Sequence, residues 1–191
     1  MINIVKDKEP IWEVEKYDVV LIGTTIYNNL NNGFQSKMRA KYPFLDAELD
    51  KTPYADRRKL GTRITVHQNP IISILFVSRY PNKHKVTLDF NALENALSTA
   101  NAEFRGKKVL TTLIGTTLYD GNAPRDKVLE LMERCCRNMD VDVYDYYQIP
   151  KRVERAMIIE KIRKVGESDP EKFKELWKQR EAIMQKLYLL S

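Results

Sequence analysis

The pattern of apolar and polar positions predicts a chain that alternates between strands and helices. Continuous apolar runs such as residues 71–77 are typical of strands buried on both faces, as in a parallel sheet. Residues 62–67 alternate instead between apolar and polar side chains, and together with residues 71–77 they predict a hairpin or adjacent pair. The six predicted strands cover residues 2–5, 18–22, 62–67, 71–77, 109–114 and 141–146.

Apolar residues spaced three and four positions apart predict helices between these strands. Pro43 ends the first helix, because a proline disfavours helical geometry at the residue before it. Gly106 terminates a later helix, and Pro124 suits the first turn of the next one. Pro170 begins the last helix, with Ser168 or Asp169 as its N-cap. The predicted helices cover residues 34–41, 46–51, 88–104, a segment from 124 onward, 151–165 and 170–188.

One phrase occurs twice in the sequence. Residues 21–27 read Leu-Ile-Gly-Thr-Thr-Ile-Tyr, and residues 113–119 read Leu-Ile-Gly-Thr-Thr-Leu-Tyr. Each copy ends an apolar run and is followed by a polar loop that contains glycine, and then by a predicted helix. Parallel strands present such loops at the carboxyl edge of the sheet, where open α/β sheets bind ligands. Because glycine lets the backbone approach a ligand and a helix N-terminus offers N–H groups to an anion, we predict one site between the two loops.

The composition is that of a soluble globular protein, with 191 residues, 43% hydrophobic and 30% charged. No run approaches 18 consecutive apolar residues and the first residues are too polar for a signal peptide, so we expect a cytoplasmic protein without a membrane segment. Cys135 and Cys136 are adjacent on a predicted helix, which suits neither a disulfide nor a metal cage, and we expect them to be buried thiols. The sequence contains no His/Glu metal spacing, and neither a metal nor a cofactor is expected.

The net charge of +6 is unevenly distributed, with +4 on residues 151–191 and +2 on residues 1–150. The amphipathic helices of the basic tail are expected to pack against the body of the protein or against a sister subunit, which would give a homo-oligomer. A basic surface also suits nucleic acid, although this excess is modest for that function. We therefore predict two domains, residues 1–149 and a helical extension over residues 150–191, with nucleic-acid association through the extension as an alternative function.

In the order of these features, residues 2–147 resemble the macro domain family, whose members bind ADP-ribose and in some cases hydrolyse its derivatives. The resemblance lies in a first strand that ends near an acidic residue, and in a core strand followed by an Asn/Gly-rich loop and a helix that ends at residues 42–43, Tyr-Pro. It continues in the turn at residues 114–119. Residues 59–62 and the strand 71–77 are similar to the branch that contains ADP-ribose phosphatases and single-domain ADP-ribosyl hydrolases. The resemblance implies a three-layer α/β/α fold with a mixed sheet.

The resemblance also implies which residues would bind the ligand. Asp7 would select the adenine, although residues 6–9 read Lys-Asp-Lys-Glu where the family has Gly-Asp-Ile or Gly-Asp-Leu. The first loop would wrap the distal ribose and the diphosphate, with the residues Gly23, Thr24, Thr25, Asn31, Asn32, Gly33 and Phe34. The second loop would close over the diphosphate with its backbone amides, with the residues Gly115, Thr116, Thr117, Leu118, Tyr119 and Gly121.

Two functions from different classes fit such a site: a binding module for ADP-ribose or a related nucleotide, and a hydrolase that removes ADP-ribose or a phosphate. Phosphatases of the similar branch place a histidine at the end of the strand before the first loop, where residues 22–25 contain none. Hydrolases of that branch use a lysine with an aspartate in the second loop, which would make Asp120 the catalytic residue, with Lys83 or Lys85 approaching it. Asp120 also fits the ordinary chemistry of an Asp-Gly turn.

Overall fold

A computed structural model describes residues 1–5, 10–31, 33–80, 85–116, 121–145, 158, 162 and 169–189 of the chain. The chain divides into two units. The first contains Met1–Val5 and Pro10–Tyr144, and the second contains Lys6–Glu9 and Asp145–Ser191. The first unit carries the sheet and every described residue of the predicted ligand site.

The described residues form six strands: β1 (Ile2–Val5), β2 (Val19–Thr25), β3 (Arg63–Val66), β4 (Ile71–Ser78), β5 (Lys108–Thr112) and β6 (Asp140–Tyr144). Their order across the sheet is β1-β6-β5-β2-β4-β3. Neighbouring strands are parallel, except that β3 pairs antiparallel with β4. The mixed sheet and the hairpin predicted from the sequence are therefore confirmed.

The described residues also form five α-helices: α1 (Gly33–Lys41), α2 (Phe44–Asp50), α3 (Phe90–Glu103), α4 (Arg125–Cys135) and, in the second unit, α5 (Pro170–Leu189). Two of these helices begin with a side-chain N-cap. At the start of α3, Asp89 Oδ1 accepts a hydrogen bond of 3.0 Å from the Ala92 N–H. At α5, Asp169 Oδ1 accepts from the Lys172 N–H at 3.1 Å, as expected of a cap. Short 3-10 helices lie at Pro10–Trp12, Val14–Lys16 and Arg57–Lys59.

The sheet is the middle of three layers in the first unit. Helices α3 and α4 share one hydrophobic core with one face of the sheet, in which Leu97 and Met132 contribute alongside Leu21 of β2. The buried residues of α1, among them Phe34 and Met38, are not part of that core, although α1 contacts β2. Because successive strand residues point to opposite faces, Val20 and Ile22 of β2 must face the other side, and α1 covers it.

Some element boundaries differ from those predicted. Strand β2 extends to Thr25 because its last residues pair with β4, and β5 ends at Thr112 because residues 113–116 form a turn. Most of the predicted helix 151–165 lies outside the described residues, as does Ser168. Within the described part of the chain, no helix combines the length and the apolar character that a membrane crossing requires.

Candidate functional site

Strands β2 and β5 separate as they approach the carboxyl edge of the sheet. Their backbone pairing covers only Val19–Val109 and Val20–Leu110. Beyond that point, side chains rather than backbone N–H groups of β5 donate hydrogen bonds to the carbonyls of β2. Thr111 Oγ1 donates to the Leu21 carbonyl at 3.1 Å. The Gly23 carbonyl accepts a hydrogen bond of 2.6 Å from Gln35 Nε2 of α1. The backbone ladder between these two parallel strands therefore ends well short of the carboxyl edge, and the region at that edge between the residues that follow β2 and those that follow β5 is called the crevice here.

The crevice lies where the chain changes sides of the sheet. The connection after β2, loop 1 (residues 26–32), leads into α1 on one face, and the connection after β5, loop 2 (residues 113–124), leads into α4 on the other. Both helices begin at the same edge, so their N-terminal N–H groups are directed toward it. Open α/β sheets bind ligands at such a switch point, and helix N-termini there favour anions.

The two copies of the repeated phrase meet at Gly23. A Cβ built on Gly23 would lie 2.4 Å from Ile114 Cγ2, and 3.5 Å from Val77 Cγ2. Any residue larger than glycine would therefore push the Ile114 side chain away from the end of β2. Gly115, the residue after Ile114, has a φ of +74° and packs so closely on Leu88 that a Cβ there would lie 2.6 Å from Leu88 Cδ1. Both glycines are consequently required by close packing at the base of the crevice.

The ends of loop 2 are held against each other. The Gly115 carbonyl accepts a hydrogen bond of 2.9 Å from the Ala123 N–H, and the Gly121 carbonyl accepts one of 2.8 Å from the Thr87 N–H. A Cβ built on Gly121 would lie 2.6 Å from the Gly115 carbonyl oxygen. Loop 2 is therefore closed at its base by backbone contacts, and the intervening residues 117–120 lie outside the described part of the chain.

Loop 1 is braced by its own polar side chains. Thr24 Oγ1 donates to the Asn29 carbonyl at 2.8 Å, and Asn29 Oδ1 accepts from the Asn31 N–H at 2.9 Å. Arg39 of α1 then donates to Asn31 Oδ1 at 2.5 Å. Gly33, which begins α1, has a φ of +50°, and a Cβ added there would meet no described atom within 4 Å. The backbone of α1 is thus accessible at its first residue.

Comparisons with known proteins agree with this architecture. No family model matches the sequence, and no curated protein matches it. Among solved structures, the macrodomain of Thermus aquaticus DarG superposes with a TM-score of 0.55 at 13% identity, covering 76% of this chain and 99% of that one. A macrodomain protein from Streptomyces coelicolor gives 0.55 at 16% identity, covering 75% and 99%. The chain has the macrodomain fold.

A third structure of this fold contains a ligand. Thermosipho africanus DarTG in complex with ADP-ribose superposes with a TM-score of 0.59 at 11% identity, covering 75% of this chain and 41% of that one. At these identities the similarity establishes the fold, and the macrodomain fold predicted from the sequence is confirmed.

The structure brings together most of the predicted site residues that it describes, but their side chains differ in exposure. Thr24, Thr25 and Phe34 are buried, at 1%, 5% and 4% exposure, so only their backbone can face a ligand. Asn31 and Gly33 are exposed. Gly23, Gly115, Thr116 and Gly121 lie around the base of the crevice, whereas Asp7, Asn32, Thr117, Leu118, Tyr119 and Asp120 lie outside the described residues, as does Lys83.

Sequence reasoning missed two residues that shape this edge of the macrodomain fold. Gln35 holds the Gly23 carbonyl, and a glutamine in the first turn of a helix gives no signal of that role. Lys59 is buried at 6% exposure and its amine donates to Asn28 Oδ1. Burial lowers the pKa of the Lys59 ammonium, with the nearby Asp56 carboxylate partly opposing that shift. A lysine in the basic run 57–59 reads as a solvated residue, so its burial could not be predicted.

A cavity of about 440 Å³ lies between loop 1 and α2. Its floor is the buried side chain of Leu49, and the exposed rings of Tyr27 and Tyr54 meet edge to face with centroids 5.4 Å apart. The other lining residues are polar: Asn28, Asn29, Asn31, Arg39, Asp46 and Asp50. Within the described residues, no three His, Cys, Asp or Glu side chains lie close enough together to hold a metal ion.

Proposed function

We propose that the chain binds ADP-ribose or a related ADP-ribosyl nucleotide in the crevice between β2 and β5. The observation that carries the proposal is the contact of Gly23 with Ile114, which brings the end of β2, just before loop 1, against the start of loop 2 at the switch point of the sheet. The ADP-ribose complex of the Thermosipho africanus protein supports the same ligand class for a protein of this fold.

The chemistry of the crevice suits a diphosphate. Helices α1 and α4 direct their N-termini to this edge, and the exposed backbone at Gly33 gives a phosphate close access to one of them. Arg79 directly follows β4 and Arg125 begins α4, so two guanidinium groups lie near the same edge, each 3.8 Å from a carboxylate oxygen, of Asp89 and of Asp126 respectively. In this arrangement backbone N–H groups hold the phosphates, and the braced loop 1 sets the position of the distal ribose.

Hydrolysis of an ADP-ribosyl or phosphate ester stays a prediction from the sequence. It rests on Asp120, which precedes Gly121 at the closed base of loop 2. Asp120→Ala separates the two functions, because a hydrolase would lose turnover with its ligand affinity retained, whereas a binding module has no turnover to lose. Nucleic-acid association through residues 151–191 likewise stays a prediction, and it requires binding that weakens steeply with salt.

Calorimetric titration with ADP-ribose, AMP, ADP and NAD tests the proposal. We expect ADP-ribose to bind most tightly, since it alone presents a diphosphate together with an unsubstituted distal ribose. Gly33→Ala and Gly106→Ala form a matched pair, because both glycines have positive φ (+50° and +75°) with no atom within 4 Å of an added Cβ. Each substitution introduces backbone strain of about 1–2 kcal/mol. Where that strain opposes the ligand-bound conformation, it weakens ligand binding by roughly tenfold.

Only Gly33 lies at the proposed site, since Gly106 precedes β5 at the opposite edge of the sheet. We therefore expect Gly33→Ala to weaken ADP-ribose binding by about tenfold and Gly106→Ala to leave it unchanged. Equal affinities for both variants would contradict the proposed position of the diphosphate. Absence of measurable ADP-ribose binding by the unmodified protein would contradict the proposed function itself.

A further inference from the structure

Lys59 is a buried lysine that is hydrogen-bonded to loop 1 of the proposed ligand site. Its side chain is buried at 6% exposure, and its Nζ lies 4.4 Å from the centroid of the Phe76 ring. The amine donates to Asn28 Oδ1 and, at 3.2 Å, to Thr52 Oγ1. Among the described residues no carboxylate forms an ion pair with it. A buried lysine costs stability unless its donors are satisfied, so the hydrogen bonds to Asn28 and Thr52 are what keep Lys59 in this position.

The backbone around Lys59 is fixed to the sheet. The Gly61 N–H donates to the Phe76 carbonyl at 2.9 Å, and the Phe76 N–H donates to the Thr62 carbonyl at 3.0 Å. Phe76 lies in β4 directly opposite Thr24 of β2. The ammonium group therefore extends from a segment that is hydrogen-bonded to β4 toward the residues that follow β2.

Asn28 receives this hydrogen bond in a conformation that needs support. It has a φ of +54°, which costs a residue with a side chain about 1 kcal/mol unless local hydrogen bonds compensate. Asn28 Nδ2 donates to the Leu49 carbonyl at 2.9 Å and to the Thr52 carbonyl at 3.3 Å, while its Oδ1 accepts from Lys59 and, at 3.1 Å, from Thr52 Oγ1. Both polar atoms of the Asn28 side chain therefore take part in hydrogen bonds. These bonds fix the direction in which the backbone of loop 1 continues after Asn28.

The direction set at Asn28 determines where the rest of loop 1 lies. The next residue, Asn29, is bound to Thr24 through its carbonyl and to the Asn31 N–H through its side chain. Gly33, the first residue of α1, is the fifth residue after Asn28. A change at Asn28 would consequently move the backbone N–H groups that face the crevice.

We propose that Lys59 is a positioning residue for the ligand site, which holds loop 1 in its binding conformation through Asn28. The inference rests on the proposed function for its effect on affinity, but its effect on the loop can be measured without a ligand. Lys59 does not contact the ligand in this arrangement, because its amine is enclosed by Asn28, Thr52 and the Phe76 ring.

Lys59→Met removes the donor and keeps the length and apolar stem of the side chain, so its packing on Phe76 is retained. Lys108→Met is the matched control, because the Lys108 amine also lies over an aromatic ring, 4.9 Å from the centroid of Tyr17, at the opposite edge of the sheet. Asn28→Gly removes the side chain that Lys59 acts on, and glycine accepts the positive φ without strain. The double variant Lys59→Met with Asn28→Gly completes a double-mutant cycle.

Hydrogen–deuterium exchange of the protein without ligand is the first measurement. We expect Lys59→Met to accelerate exchange about tenfold or more in peptides that cover loop 1 and the start of α1, and to leave peptides from α4 unchanged. The same exchange rates in loop 1 for Lys59→Met and Lys108→Met would overturn the inference, whatever the protein binds.

Calorimetry with ADP-ribose is the second measurement. We expect Lys59→Met to weaken binding by about tenfold, Asn28→Gly to weaken it comparably, and the double variant to be no weaker than either single variant. Losses that multiply to about a hundredfold would mean that Lys59 acts on the ligand independently of Asn28, which also overturns the inference. If the unmodified protein binds no ADP-ribose while loop 1 still responds in the exchange experiment, the proposed function fails and the role of Lys59 in positioning loop 1 stands.

Discussion

Replacing Gly23 by alanine tests the contact between the end of β2 and the start of loop 2. The added Cβ would lie 2.4 Å from Ile114 Cγ2, but 3.5 Å from both Ile114 Cβ and Val77 Cγ2. The steric conflict therefore involves a single methyl group, and the other neighbours are at ordinary van der Waals distance. Because Ile114 is buried at 1% exposure, it cannot simply rotate into solvent. Overpacking of this kind costs about 1–3 kcal/mol of unfolding free energy.

A second substitution removes the conflict. Ile114→Ala eliminates Cγ2 and on its own leaves a cavity that costs about 2–5 kcal/mol. In the double variant the new methyl group at position 23 lies 3.5 Å from the Cβ at position 114 and occupies part of the vacated space. The double variant should therefore be more stable, by about 1–3 kcal/mol, than the sum of the two single effects predicts.

Urea denaturation, with unchanged m-values as a check on two-state unfolding, measures these free energies. Ile72→Ala is a matched control, since Ile72 is a fully buried isoleucine of β4 that pairs with Val20 and does not contact Gly23. Gly23→Ala and Ile72→Ala should be additive within about 0.5 kcal/mol. If Gly23→Ala and Ile114→Ala are equally additive, the end of β2 and the start of loop 2 do not meet as described.

Four further predictions concern stability and reactivity. Asp89→Ala removes the N-cap of α3 and should lower the unfolding free energy by about 1 kcal/mol in urea denaturation, while Asp89→Asn keeps the acceptor and most of that stability. Burial raises the pKa of the Cys136 thiol from 9.0 to about 12, so a thiol reagent at pH 8 should leave Cys136 unmodified until the protein is unfolded. As pH rises, the unfolded chain loses the Cys136 thiol proton before the folded protein does. The contribution of Cys136 to the free energy of unfolding should therefore decline between pH 9 and about 12. The lowered pKa of Lys59 acts in the opposite direction, because the folded protein releases the Lys59 proton before the unfolded chain does. The contribution of Lys59 to the free energy of unfolding should therefore rise with pH between that lowered pKa and 10.5. Urea denaturation of the unmodified protein and of Lys59→Met over this pH range measures the difference.

The fold was predictable because its strongest signals are local. The continuous apolar runs of β2, β4 and β5, the proline after α1 and the glycine after α3 each report on their own segment. The end of β2 was not predictable in this way, since Gly23, Thr24 and Thr25 read as a loop and become a strand only by pairing with β4. That pairing involves residues about fifty positions away, and no local propensity encodes it.

The site was predictable only in outline. The repeated Gly-Thr-Thr phrase identified the two connections that converge at the carboxyl edge, and the contact of Gly23 with Ile114 is the packing reason for one of its glycines. The prediction included Thr24, Thr25 and Phe34 among the ligand-binding residues, and because they are buried they could contribute to the proposed site only through their backbone. The supports at Gln35 and Lys59 were missed, since each depends on the tertiary position of a residue type that is usually solvated.

The most direct test of the central claim is a crystal structure of the full chain with ADP-ribose. It should show the diphosphate between loop 1 and loop 2, within hydrogen-bond distance of backbone N–H groups near Gly33 and in the 115–121 segment. A ligand seated instead in the cavity beside Tyr27 and Tyr54, or away from the junction of Gly23 and Ile114, would contradict it.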